Sequence, residues 1–214
     1  MKSFFVKTNR SVYFCSMLSK AEKTRQLIIE KSAPLFNTRG YAGTSMNDIM
    51  EATGLTKGGL YGNFQSKDEI AALAFEYSYN KVKTELVAVI RQQQTSLEKL
   101  YAILNFYRSY TIRPQVEGGC PIQNTAIDAD DAYPFLKKKA RQALNDMLDG
   151  LEHIIQNGIK YKEFKSAVEP RKEAEIIYAQ IEGAIMMAKL SDDVNLLNRI
   201  LDNLRSYIDA QLKN

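Results

Sequence analysis

Gly54-Leu55-Thr56-Lys57-Gly58-Gly59-Leu60-Tyr61-Gly62-Asn63-Phe64-Gln65-Ser66-Lys67 holds a turn, a short helix and the start of a longer one. Gly54 closes the preceding helix, because it can take a positive φ where a side chain would clash. Thr56 caps the helix from Lys57 to Asn63, and Ser66-Lys67-Asp68-Glu69 is a capping box that opens the next. Upstream, Ser45-Met46-Asn47-Asp48 starts a helix that carries Ile49, Met50 and Ala52 towards Gly54. Ile49, Leu55, Leu60 and Phe64 have the spacing of a small core holding the two short helices across the Thr53-Gly54-Leu55 turn. With a third helix before them, this is a helix-turn-helix unit. The second helix of such a unit enters the major groove of DNA.

Working outward, Lys20 to Arg39 reads as that third helix, with Ile29, Ala33 and Phe36 on one face, Ile28 and Leu35 beside them, and Gly40 as its stop. Pro34 lies inside it and predicts a slight bend, since proline removes an i−4 bond. After Ser66, a stripe of Ile70, Leu73, Ala74, Tyr77, Val82, Leu86, Val89 and Ile90 carries a long helix to about Gln93. Further helical patterns run at 96–112, 120–128, 134–160, 170–190 and 193–212. No segment alternates with period two. The expected fold is all-α with about nine helices. A tail at 1–18 precedes a helix-turn-helix domain at 19–68, with its motif at 45–64, and a helical domain at 69–214.

Composition agrees. The chain has 214 residues with 11 Gly and 5 Pro, too few for a loop-rich all-β fold. Net charge is +4, and residues 1–70 hold 10 Lys/Arg against 6 Asp/Glu, so the excess lies in the N-terminal third. A basic module on a neutral body suits a polyanion. Cys15 and Cys120 make no disulfide framework, which points to a cytoplasmic location. No apolar run approaches the ~20 residues of a membrane span, so no membrane partner is expected. Lys7 and Arg10 interrupt the apolar start too early for a secretory signal. Residues 1–16 read as a tail or an over-extended translation start.

The exposed residues of the second short helix suit nucleic acid. Lys57 can donate to guanine O6 and N7 or to phosphate. Gly58 and Gly59 let the helix backbone approach the groove closely. Thr56 can offer a phosphate its hydroxyl and backbone N–H, and Tyr61 its phenol. Asn63 completes this face. Ser45 and Lys67, each at a helix start, can hold the DNA backbone on either side. A solvated Lys57 and a packing Tyr61 are the plainer alternatives.

These residues carry a resemblance. Ile28-Ile29-x-x-Ser32-Ala33-x-Leu35-Phe36-x-x-x-Gly40-Tyr41, Thr44-Ser45-x-x-Asp48-Ile49 and Gly54-Leu55-Thr56-Lys57-Gly58-Gly59-Leu60-Tyr61-x-x-Phe64-x-x-Lys67 resemble the tetracycline-repressor (TetR/AcrR) family without a gap. The resemblance implies a dimeric repressor whose second domain binds a ligand and releases DNA. It also implies that Thr44, Ser45, Thr56, Lys57, Gly58, Tyr61, Asn63 and Lys67 face the DNA. Gly59 stands where a hydroxyl residue is common in the family, and Gly62-Asn63 replaces a bulkier or His-containing pair. Gly118-Gly119-Cys120-Pro121 with Asn124-Thr125-Ala126 resembles a loop-and-helix opening found in one branch of these regulators.

In the second domain, Phe75, Tyr79, Tyr101, Phe106, Tyr107 and Tyr110 form the candidate pocket for an apolar or aromatic small-molecule effector. Helix-bundle core is their alternative role. The last helix carries an apolar seam of Val194, Leu197, Leu201, Leu204 and Ile208 and a second edge of Leu196, Ile200 and Tyr207. The helix before it carries Ile177, Ile181, Ile185 and Ala188 on one face and Ile176, Ala179, Gly183, Met186 and Leu190 on another. A surface helix of a monomer needs one buried stripe. Two stripes on each helix predict a two-fold homodimer, with Ile181, Ile185, Leu197, Leu201, Leu204 and Ile208 at its interface and a palindromic double-stranded operator as partner.

No nucleophile–base pair, paired carboxylates or phosphate-binding loop occurs, so no catalytic residue, cofactor or metal site is expected. Cys120 reads as a buried thiol, His153 as no ligand, and Asp128, Asp130 and Asp131 as a solvated turn. A helical-bundle enzyme and a protein-interaction adaptor remain the rival classes.

Overall fold

A computed structural model describes residues 19–110 and 112–214. The expected tail at 1–18, with Cys15, lies outside the described residues. The helices are α1 (Lys20–Arg39), α2 (Met46–Thr53), α3 (Lys57–Tyr61), α4 (Lys67–Arg91) and α5 (Ser96–Arg108), then α6 (Pro121–Ala129), α7 (Pro134–Lys160), α8 (Pro170–Ser191) and α9 (Val194–Gln211). Among the described residues the extended pairing is one bridge between Phe164 and Lys213. The all-α reading therefore holds.

Local chemistry sets most helix ends. Ser19 and Ser45 each form a reciprocal capping box, with Glu22 and Asp48. Gly54 ends α2 at φ +69°, the left-handed conformation that glycine adopts without strain. Thr56 caps α3 by accepting from the Gly59 N–H at 3.2 Å. Ser66 caps α4, but the expected box is incomplete there. The Glu69 carboxylate accepts instead from the Gln65 N–H and from Arg25. Two helices are shorter than their sequence patterns. α3 stops at Tyr61 because Gly62 and the Asn63 side chain close it. α5 stops at Arg108, and Tyr110 turns inward to 1% exposure.

Two apolar cores result. The smaller joins Ile28, Ile49, Leu60, Phe64 and Ile70, with Leu55 packed against it. The larger fills the second domain from α4 to α9. The buried stripe of α1 runs through Ile28, Ser32, Ala33 and Asn37, one position from the expected face. The shift brings Asn37 against the second domain, where its side chain donates to the Glu117 and Gly119 carbonyls at 2.7 and 3.0 Å. The expected boundary at 68/69 falls in the first turn of α4. That helix has Ile70 in the small core, Ala71 in a junction cluster with Ala129 and Leu136, and Phe75 in the large core.

The expected dimer seam is overturned. Ile181, Ile185, Leu197, Leu201, Leu204 and Ile208 are at most 1% exposed within the single chain. They are its own core and have no surface left for a partner. Of the two stripes on each helix, the one richer in large aliphatic side chains is buried against α5 and α7, where it removes the most apolar area from water.

Candidate nucleic-acid interface

The short helix α3 stands on the small core by Leu60, which is fully buried, and turns its other side to solvent. Thr56, Lys57, Gly58 and Tyr61 are exposed. A Cβ on Gly58 would meet nothing within 4 Å. The protein's own packing therefore does not call for glycine there. The Lys57 ammonium lies 5.9 Å from the centre of the Tyr61 ring, one turn along the helix. Both side chains thus present polar tips on one exposed face.

The flanks are more constrained. Ser45 is exposed at the start of α2, and its hydroxyl both accepts from the Asp48 N–H at 3.1 Å and donates to the Asp48 carboxylate at 2.5 Å. The Ser45 hydroxyl and N–H, with Arg39 at 3.1 Å, hold the Asp48 carboxyl below the usual carboxylate range. Lys67 opens α4 with its ammonium 4.0 Å over the Tyr41 ring. Partial burial pushes the lysine pKa down. The Tyr41 hydroxyl donates to Asp68, and burial first, then that carboxylate, raises the phenol to about 12.

Two of the eight expected DNA-facing positions do not present their side chains. Thr44 is fully buried, and its hydroxyl donates to the Gly40 carbonyl at 2.8 Å across the loop between α1 and α2. Asn63 is half-buried and donates to the Gly59 carbonyl at 2.8 Å, which caps α3. Arg25 was not anticipated. Its guanidinium lies 4.1 Å from the centre of the Phe64 ring and bonds both the Asn63 carbonyl and Glu69. It ties α1 to the start of α4 and so fixes the height of α3. Nothing in the local sequence marks it, because its partners lie 38 to 44 residues away.

Most of the basic excess of the N-terminal third falls before residue 19. Residues 19–70 carry seven Lys/Arg and six Asp/Glu, and the remaining excess comes from Lys2, Lys7 and Arg10. Placement of individual cations, not net charge, distinguishes the α3 face.

The six aromatic candidates in the second domain do not line one cavity. Phe75 and Tyr79 stack at 6.4 Å, while Tyr107 packs against Phe106 at 5.2 Å and Tyr110 at 5.3 Å. These rings fill each other's space as core. Tyr101 faces α9, where it bonds Asp209 and lies under Arg205. Between α4, α5, α7 and α8 the interior keeps about 30 Å³, small beside the roughly 300–1,000 Å³ of ligand pockets.

Cys120 donates to Glu182 at 3.1 Å, and burial pushes its thiol pKa well up, which makes it an unreactive thiol. Among the described residues no three His, Cys, Asp or Glu side chains are grouped to hold a metal. Asp128 accepts from the Tyr41 N–H, and Asp130 pairs with Lys137. No described helix is long and apolar enough to cross a membrane.

Known proteins match both halves. Residues 28–74 match the family described as "Bacterial regulatory proteins, tetR family", and residues 96–204 match "Tetracyclin repressor-like, C-terminal domain". A solved TetR transcriptional regulator from Chloroflexus aurantiacus J-10-FL is 36% identical, with a TM-score of 0.88 over 92% of this chain and 99% of that one. One from Cytophaga hutchinsonii is 39% identical, with a TM-score of 0.84 over 91% and 98%. An uncharacterized HTH-type transcriptional regulator of Lactococcus lactis subsp. lactis is 28% identical over 87% of this chain and 93% of its own.

Proposed function

The chain belongs to the tetR family of helix-turn-helix transcriptional regulators, and from that premise we propose that it is a repressor that binds a palindromic operator as a two-fold homodimer and leaves it when a small molecule binds. The observation that carries the DNA reading is the exposed α3 face, with Thr56, Lys57, Gly58 and Tyr61 presented on a buried, clamped base. Ser45 and Lys67 flank it at the starts of α2 and α4. A base contact from Lys57, with phosphate contacts from Thr56, Tyr61 and Lys67, gives both register and specificity.

Repression is supported by kinship. The regulators DhaR of Mycobacterium sp. GP1 and NemR of Escherichia coli, 21% and 20% identical to this chain, are named transcriptional repressors. Dimerisation is supported by the second face of α8. Met186, Met187 and Leu190 are 46%, 45% and 85% exposed, and Ala179 is exposed beside Gly183, where an added Cβ would meet nothing. This apolar, small-residue stripe lets a second helix approach closely and replaces the buried seam as the two-fold contact. Leu196, Ile200 and Tyr207 of α9, all half-buried, extend it.

The test is binding to a duplex selected from a random pool by the full-length protein. Lys67→Ala should weaken binding to every sequence and reduce the salt slope by about one phosphate unit per subunit. Lys57→Ala should cost about 1–3 kcal/mol at one base position per half-site. Selection that yields no common sequence, or equal losses on all sequences for Lys57→Ala, would remove α3 from base readout.

A further inference from the structure

Where the end of α1 meets α4 and α6 lies a half-open cavity of about 320 Å³, against about 30 Å³ in the aromatic interior. One side is apolar and built of small residues, with Ala71 and Ala74 of α4 beside the Phe75 ring. One turn further along α4, Ser78 also lines it. That side chain is 1% exposed, and its hydroxyl has no hydrogen-bond partner. A buried hydroxyl without a partner costs free energy that a ligand can recover.

The charges of the lining are unequal. Arg39 and Lys189 contribute cations, and Asp128 contributes an acid that already accepts from the Tyr41 N–H at 2.7 Å. Arg39 is paired with Asp48, whereas the Lys189 ammonium bonds the Gly118 carbonyl and has no carboxylate within 4 Å among the described residues. Gly118 belongs to the clasp between the two domains. Asn124 donates to both the Gly118 and the Asn37 carbonyls, at 2.9 and 3.0 Å, and Asn37 donates back to Glu117 and Gly119. Lys189 therefore holds the same loop that holds α1.

We propose that this junction cavity, and not the aromatic interior, is the effector site, and that it takes a small amphipathic monocarboxylate. The carboxylate pairs with Lys189 beside Arg39, and a ring or short chain lies on Ala71, Ala74 and Phe75. A polar atom on that body meets the Ser78 hydroxyl. Pairing draws Lys189 from Gly118 and loosens the clasp, so the ligand favours the arrangement in which α1 and α3 are no longer held for DNA. The proposal rests on the reading that a small molecule releases the operator.

The test uses the full-length protein and three probes with one carbon skeleton: 3-phenylpropionate, 3-phenylpropionamide and 3-phenylpropylamine. Calorimetric titration should show the acid binding about tenfold or more tighter than the amide or the amine. Lys189→Met should remove that preference. Thr125→Phe, which fills the cavity from its half-buried α6 side, should abolish binding of all three. Both unliganded variants should still melt cooperatively as folded protein, since neither residue is in the buried core, with Lys189→Met somewhat lowered by loss of its bond to Gly118. Comparable binding of the amine, acid binding unchanged in both variants, or no acid binding up to about 10 mM overturns the site. Acid binding with the expected charge preference but an intact operator complex supports the cavity and overturns release.

Discussion

At the scale of single residues, the interface separates side chains that meet solvent from those that build the platform beneath. Thr44 and Ser45 are neighbours, yet Thr44 is fully buried and Ser45 is exposed. Thr44→Val keeps the shape and removes the hydroxyl bonded to Gly40. It should cost about 1 kcal/mol of stability, seen as a lower melting temperature by circular dichroism, with DNA affinity of the folded protein unchanged. Weaker DNA binding at unchanged stability would return Thr44 to the contact surface. The exposed set on α3 was legible because helical spacing opposes it to Leu60. Thr44 was not, because burial in a loop depends on what covers it in the folded chain. Arg25 was invisible for the same reason: its partners are distant in sequence and close in space.

At the scale of helices, ends were legible where a local bond decides them. Ser45 with Asp48, Gly54, Thr56 and Ser66 all cap as their residue types dictate. These caps also make stability depend on pH. Asp48 is held below its usual pKa by the Ser45 hydroxyl and N–H, Glu98 by the N–H and hydroxyl of Thr95, with which it forms a capping box at the start of α5, and Glu69 chiefly by Arg25. A carboxylate with a lowered native pKa contributes stability above its unfolded value of about 4 and loses it as pH falls through the native one. Melting temperature should therefore drop below about pH 4, and Ser45→Ala should make that drop shallower by removing the Asp48 share. A pH response identical to wild type would place the linkage elsewhere. The shortened α5 was less legible, since its apolar pattern continues through Tyr110 while the chain has already turned.

At the scale of the molecule, periodicity showed that α8 and α9 each have two apolar faces but not which face is inside. That choice depends on the shape of the whole core. The buried face includes Leu201, so Leu201→Glu should lower stability by at least about 3 kcal/mol and yield unfolded chain, not folded monomer. Met186→Glu should instead leave the melting temperature of the protomer near wild type and weaken dimerisation by about 2 kcal/mol or more. Sedimentation equilibrium with thermal melts separates the two, and a folded monomer from Leu201→Glu would reverse the assignment. The helix α4 adds a mechanical consequence. It is one uninterrupted rod of 25 residues, roughly 37 Å long, rooted in the body and carrying the reading head at its far end. Such a rod is a lever. Pivoted by about 5° at its base, it displaces its first turn by roughly 3 Å, close to the ~3.4 Å step between successive bases on one strand. In two copies pivoting in opposite senses the displacements add, and both heads fall out of step with the double helix although no contact within either head has changed.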